Sequence, residues 1–228
     1  MKKIYLLHGW VYTTEKWNPV VEELKKIGFE CEILPIPGLT SPIDKPWTLE
    51  DYVGWLNDFF ADKEKPILLG HSNGGRIAIA FNAKYPEKLG QLILVDSAGL
   101  IDRRLKPALK RFVFRHLAKI GKTFTKSEKL RKILYGATNE KDYHEASPIM
   151  KETMANLISS DLAPDLSKIT APTLIIWGKD DKSTPLFQGK YIHQMIKGSK
   201  IKIIEDANHS PHVSHPKMIA EIISEELK

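Results

Sequence analysis

Cysteine is almost absent from the sequence. Cys31 is the single cysteine among 228 residues, so the chain can form no internal disulfide and no metal site built from thiolates. Disulfide-stapled secreted domains are excluded as a class. We therefore expect a protein of a reducing compartment, with a cytoplasmic location.

Long apolar runs are missing as well. No stretch approaches the roughly 18 apolar residues that cross a bilayer, so we expect no stable membrane insertion. The apolar run at residues 4–7 follows two lysines, but it is shorter than the 7 to 15 or so residues of a signal-peptide core. We predict that this run is a first β-strand.

Positive charge is concentrated in one segment. The formal net charge is +6, yet residues 102–132 carry twelve basic side chains against two acidic ones, which leaves the rest of the chain negative. We expect a solvated outer face, with attraction of anionic substrates or contact with a membrane or protein partner as alternatives. Nucleic acid is not an expected partner, because neither interleaved aromatic residues nor a recognition motif accompanies these charges. The basic residues are Arg103, Arg104, Lys106, Lys110, Arg111, Arg115, Lys119, Lys122, Lys126, Lys129, Arg131 and Lys132.

Short apolar segments alternate with helical patterns along most of the chain. The strand-like runs are KIYLLHG, CEILPIP, PILLG, LILVD, TLIIWG and IKIIED. Helical patterns cover about residues 14–27, 49–60, 73–84, 185–196 and 216–227. This alternation is typical of βαβ units and of a parallel sheet covered by helices on both faces. The sequence therefore predicts an α/β protein.

Capping signals and an interruption define the rest of the organisation. Thr48 with Asp51, and Thr184 ahead of Pro185, are typical of helix starts. From about Gly99 to Lys168 the alternation stops, and the sequence is helical, polar and basic. An insertion between two strands of one sheet is the simplest interpretation, which makes the chain one domain with an insertion.

One serine stands where a strand is predicted to turn abruptly into a helix. In PILLGHSNGGRIAIAF, residues 66–81, Ser72 lies between Gly70 and Gly74. A bare G-x-S-x-G pattern is weak, but the strand-turn-helix context gives it a mechanism, because the sharp turn holds the hydroxyl clear of the backbone. The alternative is a serine that caps an ordinary helix beside tightly packed glycines.

GHSNGG resembles the nucleophile elbow of the α/β-hydrolase-fold enzymes. The resemblance implies a mostly parallel central sheet flanked by helices, with core residues 1–99 and 168–228. It also implies a helical cap at residues 100–167 that covers Ser72 and selects the substrate. In this superfamily the serine is followed along the chain by an acid and then by a histidine.

The acid is expected just after a later strand. TLIIWGKDDKSTP resembles the family's strand followed by G-x-x-D-x-x-x-P, which places the acid at Asp181, between Gly178 and Pro185. The adjacent Asp180 is a competitor. Asp96, which follows the strand-like run LILV, is a more distant one.

The histidine is expected after the last strand. His209 has the family's spacing to Pro216 at the start of the final helix, although Asn208 stands where glycine is common. His212 and His215 are interpreted as a loop residue and a helix-start residue.

Two backbone N–H groups are the candidates for an oxyanion hole. One is that of Asn73, directly after the serine, and the other is that of Trp10, because HGW resembles the family's His-Gly-x loop. The Trp10 side chain is expected to line the acyl pocket, with a plain core tryptophan as the alternative.

The resemblance implies a serine hydrolase in which Ser72 attacks, His209 transfers the proton and Asp181 orients the imidazole. We expect a carboxylesterase acting on small acyl esters, with no cofactor and no metal. C–C hydrolases of ring-fission products, thioesterases and amidases share these motifs. A ligand receptor with incidental catalysis and an interfacial lipase are further alternatives. The oligomeric state is left open.

Overall fold

Six short apolar segments form one parallel sheet at the centre of the molecule. The computed structural model describes residues 2–101 and 146–227. The strands are β1 (Lys2–Leu7), β2 (Phe29–Ile33), β3 (Ile67–His71), β4 (Gln91–Val95), β5 (Thr173–Gly178) and β6 (Lys200–Ile204). Their order is β2-β1-β3-β4-β5-β6, and every neighbouring pair is parallel. The predicted α/β class and parallel sheet are confirmed.

Helices cover both faces of this sheet. The inner strands accordingly read as continuous apolar runs, because side chains alternate between two buried faces. In β4, Leu92 and Leu94 belong to one core cluster, and Ile93 and Val95 belong to the other. The α-helices of the described part of the chain are α1 (Asn18–Lys26), α2 (Leu49–Phe59), α3 (Asn73–Lys84), α4 (Pro148–Ile158), α5 (Leu186–Met195), α6 (Pro211–Ser214) and α7 (Pro216–Leu227).

Helix starts agree with the sequence at one predicted cap and differ at two places. Thr48 and Asp51 form the expected capping box. The first α-helix begins at Asn18 rather than at residue 14, because Pro19 sets its first turn and a 3₁₀ turn precedes it. The predicted cap at Thr184 is wrong. Pro185, in an extended conformation, is the N-cap of α5, and the Thr184 hydroxyl donates instead to the carboxylate of Asp181, which is the stronger acceptor.

Most of the predicted cap lies outside the described residues. This applies to residues 102–145 and with them to the basic segment, so the cap boundaries stay predictions. The part that is described, α4 and a 3₁₀ turn at Ala163–Lys168, packs its apolar residues into the core. The buried Arg76 guanidinium on α3 donates to the carbonyl oxygens of Leu157 and Ser160, at 2.6 and 3.0 Å, and so ties the end of α4 to α3.

Four parallel strands end at the same edge of the sheet, and a polar residue follows each of them. Ser72 comes directly after β3 and Asp96 directly after β4, while Asp181 and His209 lie in the loops after β5 and β6. Because the carboxyl ends of parallel strands share one edge, the sheet order brings these residues to one place. Within residues 2–101 and 146–227, no helix has the length and apolar character needed to cross a membrane.

Candidate active site

Ser72 occupies a strained turn between β3 and α3. Its backbone has φ 51° and ψ −117°, a conformation that costs a non-glycine residue on the order of 1 kcal/mol or more. The Ser72 side chain makes no capping hydrogen bond to the helix, so the interpretation of a plain helix cap is wrong. The hydroxyl is free to face the loops after β5 and β6.

The flanking glycines allow the chain to pass close by. A Cβ atom on Gly74 would lie 2.1 Å from the carbonyl oxygen of Leu7, and one on Gly70 would lie 2.6 Å from the carbonyl oxygen of Gly74. Both distances are far below van der Waals contact, and the groups that would clash belong to the main chain. The elbow therefore needs glycine at these two positions because of backbone proximity.

Ser72, His209 and Asp181 form one hydrogen-bonded chain. Nε2 of His209 lies 2.9 Å from Oγ of Ser72, and Nδ1 of His209 lies 2.7 Å from Oδ2 of Asp181. A carboxylate can only accept, so Nδ1 carries the ring proton and Nε2 is left with a lone pair facing the hydroxyl. Among the competing acids, Asp180 is exposed, and neither it nor Asp96 makes the hydrogen bond to His209.

A short turn after β5 immobilises Asp181. Its Oδ1 accepts the backbone N–H groups of Ser183 and Thr184 at 2.7 and 3.0 Å, and the Thr184 hydroxyl donates to Oδ2 at 2.6 Å. The same hydroxyl lies 3.3 Å from Nδ1 of His209. Sequence reasoning missed this role of Thr184. The D-x-x-T spacing was the available signal, because it suits a side chain that folds back over a turn.

Two further histidines lie near His209, an arrangement that no pattern in the sequence predicted. His71 donates from Nε2 to the carbonyl oxygen of His209 at 2.9 Å and so holds the histidine loop. His212, predicted as a loop residue, lies in α6 with its ring stacked on Trp17, 4.2 Å between centroids and 4° between planes. Burial lowers the pKa of His71 well below its ordinary value and that of His212 to about 3. Both rings are therefore neutral at physiological pH.

The loop after β1 lies against the elbow. A Cβ atom on Gly9 would lie 3.3 Å from Cβ of Ser72, so the backbone that leads into Trp10 passes beside the serine. The Trp10 side chain is buried and belongs to the larger core cluster. Asn73 is the first residue of α3, where a backbone N–H has no partner within the helix. Both candidate oxyanion donors thus belong to segments that adjoin Ser72.

Three side chains at this edge could in principle hold a cation. Donor atoms of His71, Asp96 and His209 all lie within 4.8 Å of one another. Both ring nitrogens of His209, however, already face Asp181 and Ser72. Metal binding through His209 would therefore break the hydrogen-bonded chain, so the donor set fits acid–base chemistry better than ligation.

Comparisons with known proteins agree with this architecture. A sequence model of the alpha/beta hydrolase family matches residues 4–222. The chain is 28% identical over 239 residues to the pimeloyl-[acyl-carrier protein] methyl ester esterase of Neisseria meningitidis serogroup C, covering 96% of this chain and 91% of that protein. It is 28% identical over 163 residues to the 2-hydroxy-6-oxo-6-phenylhexa-2,4-dienoate hydrolase of Comamonas testosteroni, covering 64% of this chain and 57% of that one.

A solved structure shows the same fold. The esterase from Exiguobacterium antarcticum matches with a TM-score of 0.75 at 20% identity, covering 100% of this chain and 92% of that chain. At this identity the likeness concerns the fold alone. Together with the family match, it confirms the resemblance and the fold that were predicted from the GHSNGG motif and its context.

Proposed function

The chain belongs to the alpha/beta hydrolase family and is a hydrolase, and from this premise we propose that it is a serine carboxylesterase that cleaves small-molecule acyl esters. The observation that carries the proposal is the hydrogen-bonded chain from Ser72 through His209 to Asp181, with distances of 2.9 and 2.7 Å. An unassisted serine hydroxyl is a weak nucleophile, and an adjacent oriented imidazole is what activates it.

The proposed reaction has two halves. Oγ of Ser72 attacks the ester carbonyl while Nε2 of His209 accepts the hydroxyl proton, and Asp181 stabilises the resulting imidazolium. The tetrahedral intermediate collapses, the C–O bond to the alcohol breaks, and His209 returns its proton to the departing oxygen. Water then attacks the acyl-enzyme with His209 as base, which releases the acid and restores Ser72.

The developing negative charge on the carbonyl oxygen needs fixed donors. We assign these to the backbone N–H groups of Asn73 and Trp10, from the start of α3 and the loop after β1. Loss of one such donor in a serine hydrolase costs about 3 to 4 kcal/mol of transition-state stabilisation. The proximity of the Gly9 loop to Ser72 supports the assignment of the second donor.

The relatives suggest a finer substrate class. The Neisseria protein is named for a methyl ester carried on an acyl-carrier protein, and it matches this chain over nearly its whole length. We therefore propose methyl esters of acyl chains, free or attached to a carrier protein, as the substrates to test first. The Comamonas match covers less of the chain, and it makes C–C bond hydrolysis of a dienoate the second candidate.

A chain-length series of chromogenic esters tests the proposal. The wild type should turn over these esters, and Ser72→Ala should lose about four or more orders of magnitude in kcat. Ser214→Ala, which removes an exposed serine hydroxyl that contacts His215, is the matched control. A fluorophosphonate probe should label the wild type and the control but not Ser72→Ala.

The alternatives give different outcomes in the same assays. Stoichiometric labelling of Ser72 with only slow turnover of every ester would favour a ligand receptor. A jump in activity above the solubility limit of a long-chain ester would favour an interfacial lipase. Turnover of a dienoate at a rate above that of any ester would favour the C–C hydrolase. Retention of ester turnover by Ser72→Ala would remove the basis of the proposal.

A further inference from the structure

A second buried carboxyl group lies beside Asp181. Asp96 has no solvent exposure, and its Oδ1 accepts the backbone N–H of Gly178 at 2.8 Å. The Thr184 hydroxyl lies 2.6 Å from Oδ2 of Asp181 and 3.1 Å from the main-chain oxygen of Asp96, so the two acidic residues are neighbours. No donor among the described residues approaches the buried Oδ2 of Asp96. Two acidic side chains therefore share a site in which one oxygen atom lacks a partner.

A proton on one of these two carboxyl groups would make the arrangement favourable. Asp181 already accepts four hydrogen bonds, from two backbone N–H groups, the Thr184 hydroxyl and His209, and this is the environment of an ionised carboxylate. Asp96 accepts one. If both were ionised, two negative charges would face each other away from water. A proton on Asp96 removes that repulsion and turns its unpartnered oxygen into a donor.

We propose that Asp96 carries a proton at neutral pH and donates a hydrogen bond to Asp181, so that a neutral carboxyl group positions the carboxylate that orients His209. The inference rests on the proposed role of Ser72, His209 and Asp181. Besides Asp181, the titratable groups that face Asp96 within residues 2–101 and 146–227 are His71 and His209, with donor atoms within 4.8 Å. Burial and the adjacent Asp181 raise the pKa of Asp96 to about 8, which agrees with the protonated state.

The arrangement also makes Asp96 a substitute for Asp181. If Asp181 is replaced by asparagine, the neighbouring charge that keeps Asp96 protonated is gone, and Asp96 can ionise. One of its oxygens lies within 4.8 Å of a ring nitrogen of His209, so the new carboxylate can take over much of the orientation of the imidazole. Asparagine is also a suitable replacement at residue 96, because φ there is 41° and asparagine adopts this left-handed region readily.

A double-mutant cycle in kcat/KM tests the substitution. Asp181→Asn should lose about 50-fold and Asp96→Asn, which keeps a donor to Asp181, about fivefold. The double variant should lose about 10⁴-fold, the effect of removing the carboxylate from a Ser-His-Asp triad, and so far more than the product of the single losses. Equal activity of Asp181→Asn and the double variant would overturn the inference.

The pH profile is a second readout that a merely structural role would not move. Above about pH 8 the wild type should lose kcat/KM, because ionised Asp96 no longer donates to Asp181 and repels it. Asp96→Asn cannot ionise, so its profile should stay level in this range. Superimposable profiles for the two proteins above about pH 8 would contradict a protonated Asp96.

Two controls separate the possible failures. Asp180→Asn changes an exposed carboxylate beside the same turn and should leave both the rate and the profile as in the wild type. Ser72→Ala measured in parallel tests the proposed function itself: if it retains turnover, the triad is wrong. If Ser72→Ala is inactive while Asp181→Asn and the double variant are equally impaired, only the role of Asp96 fails. Thermal melting of every variant confirms that the comparison is made on folded protein.

Discussion

Replacement of His212 by phenylalanine should make the protein more resistant to acid. The imidazole is 5% exposed, stacks on Trp17, and leaves Nδ1 without a partner among the described residues. A phenyl ring can keep the stacking and gives up no hydrogen bond at Nδ1. Burial, with smaller effects from His209 and Lys16, lowers the pKa of His212 from 6.5 to about 3 in the folded chain.

The sign of the effect follows from proton uptake by the unfolded chain. Below about pH 6.5 the unfolded state binds a proton at His212, whereas the folded state does not until about pH 3. The stability of the folded wild type is therefore undiminished above about pH 6.5, and it falls as the pH is lowered from there toward about pH 3. Between about pH 7 and about pH 4.5 this amounts to about 3 kcal/mol, since each pH unit is worth about 1.4 kcal/mol. Phenylalanine removes this loss.

Urea unfolding at neutral and acid pH measures the difference. We expect the free energy of unfolding of His212→Phe to fall by about 3 kcal/mol less than that of the wild type between the two conditions, with similar m-values. His212→Gln separates packing from protonation, because it should be less stable than the wild type at neutral pH and share the smaller acid loss. If the wild type and both variants lose stability in parallel, His212 does not stay neutral in the folded protein.

Three further changes test other parts of the site. As pH rises from about 5.5 to about 8, the free energy of unfolding of the wild type should fall by about 3 kcal/mol relative to that of Asp96→Asn, because folded Asp96 keeps a proton that the unfolded chain releases. Urea unfolding at both pH values measures this, and a difference that does not change with pH would contradict it. Thr184→Val should lower kcat about tenfold with KM unchanged, because Asp181 loses the 2.6 Å hydrogen bond. Thr184→Ser keeps the hydroxyl and should have a kcat close to that of the wild type. Equal losses of kcat in the two variants would point to packing instead. Gly74→Ala should destabilise the fold by at least about 3 kcal/mol, because its Cβ would lie 2.1 Å from a carbonyl oxygen of β1. Gly54→Ala, with no atom within 4 Å of the added Cβ, should instead stabilise α2 by about 0.5 to 1 kcal/mol in thermal melts; similar melting of the two glycine variants would refute the steric reasoning.

Local patterns sufficed to predict the class of the protein and the elbow. Apolar runs alternating with helical periods indicate a parallel sheet because each pattern is set by residues close in the chain. The glycines around Ser72 and the capping box at Thr48 are local in the same sense. Spacing to neighbouring glycine and proline residues led to Asp181 and His209 as candidates, through the resemblance to a known family.

The relations between strands could be read only from the tertiary structure. The sequence left Asp180 and Asp96 as competitors of Asp181. In the folded chain, with β4, β5 and β6 side by side, Asp181 contacts His209, whereas the carboxyl group of Asp96 accepts the backbone N–H of Gly178. Thr184 has a capping signal in its local sequence, yet its hydroxyl turns to a carboxylate that only the folded loop brings within 2.6 Å. Burial of His71 and His212 likewise depends on loops from several strands that meet at one sheet edge. The sequence of each segment specifies its hydrophobic periodicity and its turns. The burial, protonation and hydrogen bonding of the site residues depend instead on contacts between segments that are far apart in the chain.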